Sequence, residues 1–283
     1  MNGVTSPSGE TAAPAAASEQ LAALGPFFAA GTHRPDVAPT APWRPMSELA
    51  EDPAILTDRV HAARALLAAG GGQDVEAVEL RVAASVIHLG LVARVVSPLL
   101  ALAVLQGRTS PIALHDLRWQ PTSGSTFPLS IADTVLVDRP EAEVSTPHTT
   151  PEDLAHALAV GPIEHVVTEL CDAFRPFGVS PRVLWGNVAS ALNGACRILA
   201  TARPDHAPRI RVVLNALLRE PFLADTWQTS FDDRFQRRSC CLIYRAAPDR
   251  AGPLCGDCVL IGGNAGGRAG VPRASRKDAH GSQ

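Results

Sequence analysis

The chain has 283 residues, of which 46% are hydrophobic, so it has enough apolar material for one large domain or two small ones without disulfide staples. Its formal net charge of −3 excludes the strongly basic composition typical of proteins that bind nucleic acid or anionic membrane surfaces. We therefore expect no nucleic-acid partner.

Residues 1–45 are rich in alanine, serine, proline and glycine, and this composition predicts a mostly disordered N-terminal segment. The first twenty residues lack the basic start and the continuous apolar stretch of a secretory signal. We therefore expect a cytoplasmic protein, in which clustered cysteines are metal ligands or redox groups and not a disulfide framework.

Residues 46–138 predict an N-terminal half made of helices and a small β element. A helix with a glycine stop is expected to begin at Thr57. A second is expected to begin at Asp74 and to kink or break just before Pro98. Turn-rich sequence near residues 120–126 predicts a hairpin or a pair of short strands.

The most apolar stretch, residues 82–105, is long enough to span a bilayer. It contains His88, Arg94 and Pro98, and an arginine in the middle of a span is unfavourable by about 2.5–3.5 kcal/mol. We therefore interpret it as a buried helix pair and expect no transmembrane span.

Residues 151–262 predict a C-terminal helical half, separated from the first by a polar, proline-punctuated boundary. Thr150 and Ser180 each precede a proline, which places a capping hydroxyl before the first helical residue. These helices are expected to end near Phe174 and Ala202, and a third is expected over residues 210–220. The predicted fold is mainly α (α+β), with a C-terminal cysteine-rich loop and a disordered tail over residues 263–283.

Four of the six cysteines lie within nineteen residues, in the order C-C, thirteen residues, C-x2-C: Cys240, Cys241, Cys255 and Cys258. Adjacent side chains diverge on a regular strand or helix, so Cys240 and Cys241 can both bind metal only where the backbone is irregular or the metal centre is large. A two-iron cluster offers two terminal sites on each iron and tolerates an adjacent pair better than a single tetrahedral zinc ion.

Three alternatives remain open at this point. Four thiolates also satisfy structural zinc, although such sites usually pair two CxxC knuckles and this chain has one. The second alternative is a thioredoxin-like or vicinal-disulfide redox pair, but the sequence lacks the βαβ context that a thioredoxin motif needs. The third is that the cysteines cluster by chance and bind no metal. Cys171 and Cys196 lie in predicted helices beside apolar neighbours, so we expect them in the core.

The cysteine segment resembles the terminal motif of the FhuF-like ferric-siderophore reductases, in which a double cysteine and a CxxC bind a [2Fe-2S] cluster. The resemblance rests on residues 234–245 (RFQRRSCCLIYR) and 254–260 (LCGDCVL), with weaker support from 184–192 and 88–100. The loop between Cys241 and Cys255 is about three residues longer than usual in that family, at little cost in closure entropy.

The resemblance implies a cytoplasmic oxidoreductase that passes one electron from its [2Fe-2S] cluster to ferric siderophore and so releases ferrous iron. No glycine-rich dinucleotide fingerprint follows a predicted strand, so the electron is expected from a ferredoxin, a flavoprotein or an NAD(P)H-dependent reductase. Alternatives are a non-enzymatic iron–sulfur or structural zinc protein and a siderophore-biosynthesis protein.

No catalytic acid or base is indicated by the sequence. Arg237, Arg238 and Arg245 flank the cysteines, where they could attract an anionic siderophore complex or raise the cluster potential. The alternative is that they form an ordinary solvated basic surface or support the backbone. We carry them forward as candidate substrate-binding residues.

Overall fold

The computed structural model describes residues 12–122, 126–136, 146–147, 150–230 and 232–261. Its helices are α1 (Ala12–Ala22), α2 (Glu48–Glu51), α3 (Pro53–Gly71), α4 (Leu80–Gln106), α5 (Asp133–Leu136), α6 (Pro151–Leu158), α7 (Glu164–Phe174), α8 (Pro181–Ala202) and α9 (Ala207–Leu217). Its strands are β1 (Gly31–His33), β2 (Arg44–Pro45), β3 (Arg108–Thr109), β4 (Leu117–Trp119), β5 (Leu129–Ala132), β6 (Thr146–Pro147), β7 (Trp227–Thr229) and β8 (Phe235–Arg237).

The β structure forms small sheets beside a helical body, which confirms the predicted mainly α, α+β fold. One sheet has the order β1-β5-β4-β2, with β1 parallel to β5 and the other neighbours antiparallel. The pairing of Leu117 with Ile131 and of Trp119 with Leu129 confirms the expected short strands around the turn-rich segment. β3 pairs with β6, and β7 pairs with β8 in the hairpin that leads to the cysteines.

The centre of the body is α4, which packs against α3, α7 and α8. Within the described residues it is the one helix long and apolar enough to cross a membrane, and 78% of its most apolar window is buried by other elements. That burial is expected for the core helix of a folded body. We expected a kink or a break before Pro98 and a pair of helices. The structure has one helix that continues through this proline, so the break and the helix pair are wrong. The helix ends before Gly107, which adopts a left-handed conformation.

The N-terminal segment differs from its prediction. Residues 12–45 are not disordered here: α1 and β1 fold onto the body, and Leu21 and Phe28 are buried in the common core. The buried guanidinium of Arg94 donates to the backbone carbonyls of Phe27 and Ala29, which ties this segment to α4. The prediction from composition did not take into account the few apolar residues of this segment, such as Leu21 and Phe28, that pack into the core.

Helix boundaries follow local capping chemistry. Thr150 and Ser180 accept hydrogen bonds from the backbone N–H groups of Asp153 and Val183, as predicted. The helix expected from Thr57 instead begins at Pro53, because Asp52 accepts from the Ala54 N–H and caps the helix there.

Two further expected helices differ in their bounds. The helix expected from residue 151 to Phe174 is divided by a π-helical segment, Ala159–Ile163, which contains Pro162 and so lacks one backbone donor. A 3₁₀ turn, Val75–Ala77, occupies the predicted start of the second helix, and α4 begins at Leu80.

The two halves expected from the sequence share one hydrophobic core, in which α4 of the first half lies against α8 of the second. Most of the predicted boundary and the whole tail from residue 263 lie outside the described residues. The packing of α4 on α8 positions the cysteine segment, which hydrogen-bonds to both helices.

Candidate metal centre

The cysteine segment begins where the β7–β8 hairpin ends. The backbone N–H groups of Arg237 and Arg238 donate to the carbonyls of Asp257 and Thr226, which hold this strand end beside the CxxC turn. Leu242, directly after the adjacent cysteines, adopts a left-handed conformation with φ 70°. This is the irregular backbone that two adjacent ligands require, since a regular strand or helix sends their side chains apart.

The four thiols of the quartet lie close together. The Sγ atoms of Cys241 and Cys255 are 3.5 Å apart, and Cys241 and Cys258 both act electrostatically on Cys240. Two thiolates on one tetrahedral ion with metal–sulfur distances of about 2.3 Å lie about 3.8 Å apart, so Cys241 and Cys255 have a suitable spacing. Cys241 and Cys258 are buried, whereas Cys240 and Cys255 are partly exposed. The site therefore lies between the interior and the surface.

Backbone donors already point at the sulfur atoms. The N–H of Leu242 lies 3.3 Å from Cys240 Sγ, and the N–H of Leu260 lies 3.4 Å from Cys258 Sγ. Hydrogen bonds of this kind stabilise thiolates and tune the potential of an iron–sulfur centre.

The pKa values of the thiols are shifted in different directions. The hydrogen bond between Cys241 and Cys255 lowers the pKa of Cys241 and raises the pKa of Cys255. Burial raises the pKa of Cys240. Metal binding would displace the remaining protons, because the thiolate is the ligand.

The loop between Cys241 and Cys255 is anchored to the body by contacts that need no metal. Arg245 forms an ion pair with Glu79, at 2.9 Å from its Nε, and Gln73 donates to the Ala246 carbonyl over 2.5 Å. Ala246 also joins a small apolar cluster with Ala68, Val78 and Val82. The longer loop thus packs against the ends of α3 and α4.

Behind the cysteines lies a buried polar network on α4 and α8. Ser85 Oγ donates to the Cys241 carbonyl over 2.8 Å, and Asn187 Nδ2 donates to the Ser85 carbonyl over 3.0 Å. Asn187 Oδ1 in turn accepts from Arg237 Nη2 over 2.6 Å, and its Nδ2 lies 3.3 Å from His88 Nδ1. These hydrogen bonds hold the cysteine segment in place against α4 and α8.

Gly186 makes the close approach possible. A Cβ at this position would lie 2.2 Å from Ser239 Oγ and 3.1 Å from Arg237 Nη2. Arg237 Nε, Arg237 Nη1 and Ser239 Oγ are buried and have no hydrogen-bond partner within the part of the chain that the structure describes. Three unpartnered donors therefore lie at the base of the site.

The three candidate substrate-binding arginines are not equivalent. Arg237 is fully buried and bonded inward, so its assignment to a substrate-binding surface is wrong. The burial of Arg237 could not be predicted from the sequence, because the same residue pattern is compatible with an exposed or a buried arginine side chain. Arg245 is engaged by Glu79, while Arg238 is 44% exposed and 3.8 Å from Asp225.

The remaining cysteines lie in the core, as predicted. Cys171 is buried on α7 with its Sγ 3.5 Å from His88 Nε2, and Cys196 is buried on α8. Burial raises the pKa of each thiol to about 12, so both are neutral at ordinary pH. Neither belongs to the quartet.

Several supporting residues were missed from the sequence: Glu79, Ser85, Gly186 and Asn187. The one available signal was local, since Gly186 and Asn187 stand together in a helix whose following residues, 188–192, are mostly apolar. Ser85 and Glu79 have no signal, because their partners are more than 150 residues away in sequence.

The residues present fit an iron–sulfur cluster in their chemistry: four thiols, backbone N–H groups aimed at sulfur and buried donors without partners. Among the described residues, no three His, Cys, Asp or Glu side chains are placed to hold one metal ion. Comparison of the sequence with protein-family models and with curated proteins gives no match.

Proposed function

We propose that this protein is a cytoplasmic ferric-siderophore reductase whose four cysteines, Cys240, Cys241, Cys255 and Cys258, hold a [2Fe-2S] cluster. The observation that carries the proposal is the convergence of the four cysteines from the two ends of one loop, with the Sγ atoms of Cys241 and Cys255 3.5 Å apart. Two irons with two terminal sites each can take four thiolates.

When bound, the cluster supplies a single electron at a potential set by its surroundings. Siderophores present hard oxygen ligands that prefer ferric iron, so a one-electron reduction of the iron weakens its binding and releases ferrous iron. The protein then needs no general acid or base. Its own residues hold the thiolates, limit water at the buried Cys241 and Cys258, and keep Cys240 and Cys255 near the surface.

The partly exposed Cys240 and Cys255 favour a redox role over a purely structural one. A structural metal would serve to tie the loop down, yet the loop is already held by the Arg245–Glu79 ion pair and by the Gln73 hydrogen bond. A site near the surface suits electron exchange with two soluble partners. It can accept an electron from a donor protein and then pass it to the ferric complex.

A cavity of about 300 Å³ lies beside Cys258 and is a suitable place for the ferric complex to approach. Its wall includes Arg234 and Gln236, and Gln236 Nε2 donates to the carbonyls of Cys258 and Ile261 over 3.1 and 2.7 Å. Arg234 is paired with Asp232 at the exposed rim. With Arg237 buried, Arg234 and Arg238 place partly exposed positive charge near the site, although each also lies beside an aspartate.

The test is a single-turnover reaction without oxygen. The dithionite-reduced protein, freed of excess reductant, is mixed with ferric siderophores of different ligand type in the presence of a ferrous chelator. We expect the reduced signal to disappear while about one ferrous ion per cluster is trapped. A reduced cluster that persists with every ferric complex would indicate a structural or other role.

A further inference from the structure

Two arginines are buried in the described part of the chain, and they are satisfied to different degrees. Arg94 donates to backbone carbonyls from all three of its nitrogens: Nε to Phe127, Nη1 to Phe27 and Nη2 to Ala29. Arg237 donates only from Nη2, to Asn187 Oδ1 over 2.6 Å and to the Val183 carbonyl over 3.3 Å. Its Nε and Nη1 have no partner, although the residue is 0% exposed.

Arg237 also lacks a counter-charge. None of the ion pairs formed by the described residues includes it, and the Asp257 carboxylate accepts from Ser190 Oγ over 2.5 Å. His88, on the α4 side, is neutral because burial lowers its pKa to about 3. An unpaired guanidinium in the interior is strongly unfavourable unless an anion lies beside it.

The unpaired charge lies in the polar network directly beneath the cysteine segment. Arg237 donates to Asn187, Asn187 donates to the Ser85 carbonyl, and the Ser85 hydroxyl donates to the Cys241 carbonyl. Ser239, adjacent to Cys240 in sequence, has a buried hydroxyl without a partner, and this hydroxyl and Arg237 Nε both lie against Gly186. The donors without partners are therefore gathered at the base of the cysteine segment.

We propose that Arg237 is the buried counter-charge of the cluster, with Ser239 as a second donor, and that their unpartnered N–H and O–H groups serve its sulfur atoms. This inference rests on the proposed function, since it requires a cluster bound by thiolates. Such a centre is anionic and gains one further negative charge when it accepts an electron from the external donor. A fixed positive charge in a low-dielectric site stabilises the reduced form more than the oxidised form, so Arg237 raises the reduction potential.

The test is the midpoint potential of the loaded protein, followed by EPR during a redox titration with mediators. Arg237→Gln removes the charge, and we expect the equilibrium constant for reduction to fall at least tenfold, which is about 59 mV for a one-electron couple. Arg237→Lys keeps the charge and should retain most of the potential. Arg238→Gln is the matched control, because the neighbouring arginine is exposed and screened by water.

Ser239→Ala keeps the inference testable if Arg237→Gln does not fold or load. Its midpoint should also fall, by less than that of Arg237→Gln, because a neutral donor is lost. A wild-type protein that shows no cluster signal overturns the proposed function itself. A wild-type signal with an unchanged midpoint in Arg237→Gln, or in Ser239→Ala where the first variant does not load, overturns this inference alone.

Discussion

Cys241 and Cys255 are separated by 14 residues in sequence, yet their Sγ atoms lie 3.5 Å apart. The left-handed conformation of Leu242 turns the chain immediately after the adjacent cysteines, and the anchored loop returns it to the CxxC turn. The thiol pair is therefore a product of the folded loop and not of neighbouring positions in the sequence.

The first prediction concerns the ligand set. Cys241→Ser and Cys255→Ser should each lose most of the bound iron and acid-labile sulfide, because a serine oxygen is a poor ligand for iron in such a cluster. Cys171→Ser is the control, since this cysteine is buried on α7 and lies next to His88. Iron and sulfide content with visible absorption measures the result; a colourless Cys171→Ser protein of normal stability would contradict the assignment.

The second prediction concerns the close approach at Gly186. Gly186→Ala should reduce the free energy of unfolding by about 1–3 kcal/mol, as overpacking does, because its Cβ meets Ser239 Oγ. Gly194→Ala on the same helix has open space and should be stabilising by up to about 1 kcal/mol. Denaturant unfolding measures both.

A second substitution checks the cause. Ser239→Ala introduced into the Gly186→Ala protein should restore part of the lost stability, since the overlapping hydroxyl is gone. Equal losses in the presence and absence of the serine hydroxyl would show that the clash is not the cause.

The third prediction concerns the ion pair that anchors the loop. Hydrogen bonds from Arg245 and Arg81 lower the pKa of Glu79 below its ordinary value of 4.5. A carboxyl with a lowered folded-state pKa adds stability above its unfolded-state pKa and loses it as the pH falls through the folded-state pKa. Wild type should therefore be more stable than Glu79→Gln at pH 7, and the difference should begin to shrink as the pH falls below 4.5 and vanish below the folded-state pKa. A difference that is independent of pH between 7 and 3 would exclude this pair as its source.

The fourth prediction concerns the buried histidine. Burial lowers the pKa of His88 to about 3, so between pH 6.5 and 3 the unfolded chain binds a proton that the folded protein does not. As the pH decreases through this window, the free energy of unfolding should decrease by about 1.4 kcal/mol per pH unit. At pH 5 the total loss relative to neutral pH should be about 2 kcal/mol. His88→Gln cannot titrate and should lack this slope in urea unfolding series; parallel pH profiles for the two proteins would contradict the account.

Much of the helical body was predictable because its signals are local. The Thr150–Pro151 and Ser180–Pro181 pairs marked two helix starts, since a capping hydroxyl and a proline act on neighbouring backbone groups. The short strands around the turn-rich segment were predicted for the same reason. The ordered structure of residues 12–45 was not predicted, because this segment is held by contacts with distant residues such as Arg94.

In the site too, features with local sequence signals were predictable, and features that depend on distant contacts were not. The cysteine spacing identified the four ligand candidates, but the inward direction of Arg237 depends on the small size of Gly186 and on the amide of Asn187 across a helix interface. No pattern in the cysteine segment encodes that interface. A buried arginine can be separated from an exposed one only when the packing of β8 on α8 is known.

The central claim is that the cysteine quartet holds a [2Fe-2S] cluster, and the most direct measurement is EPR of the protein purified without oxygen, before and after reduction with dithionite. The account predicts an EPR-silent oxidised protein, a signal from one unpaired electron per chain on reduction, and two irons and two sulfides per chain. A colourless protein that contains one zinc per chain and gives no signal on reduction would contradict it.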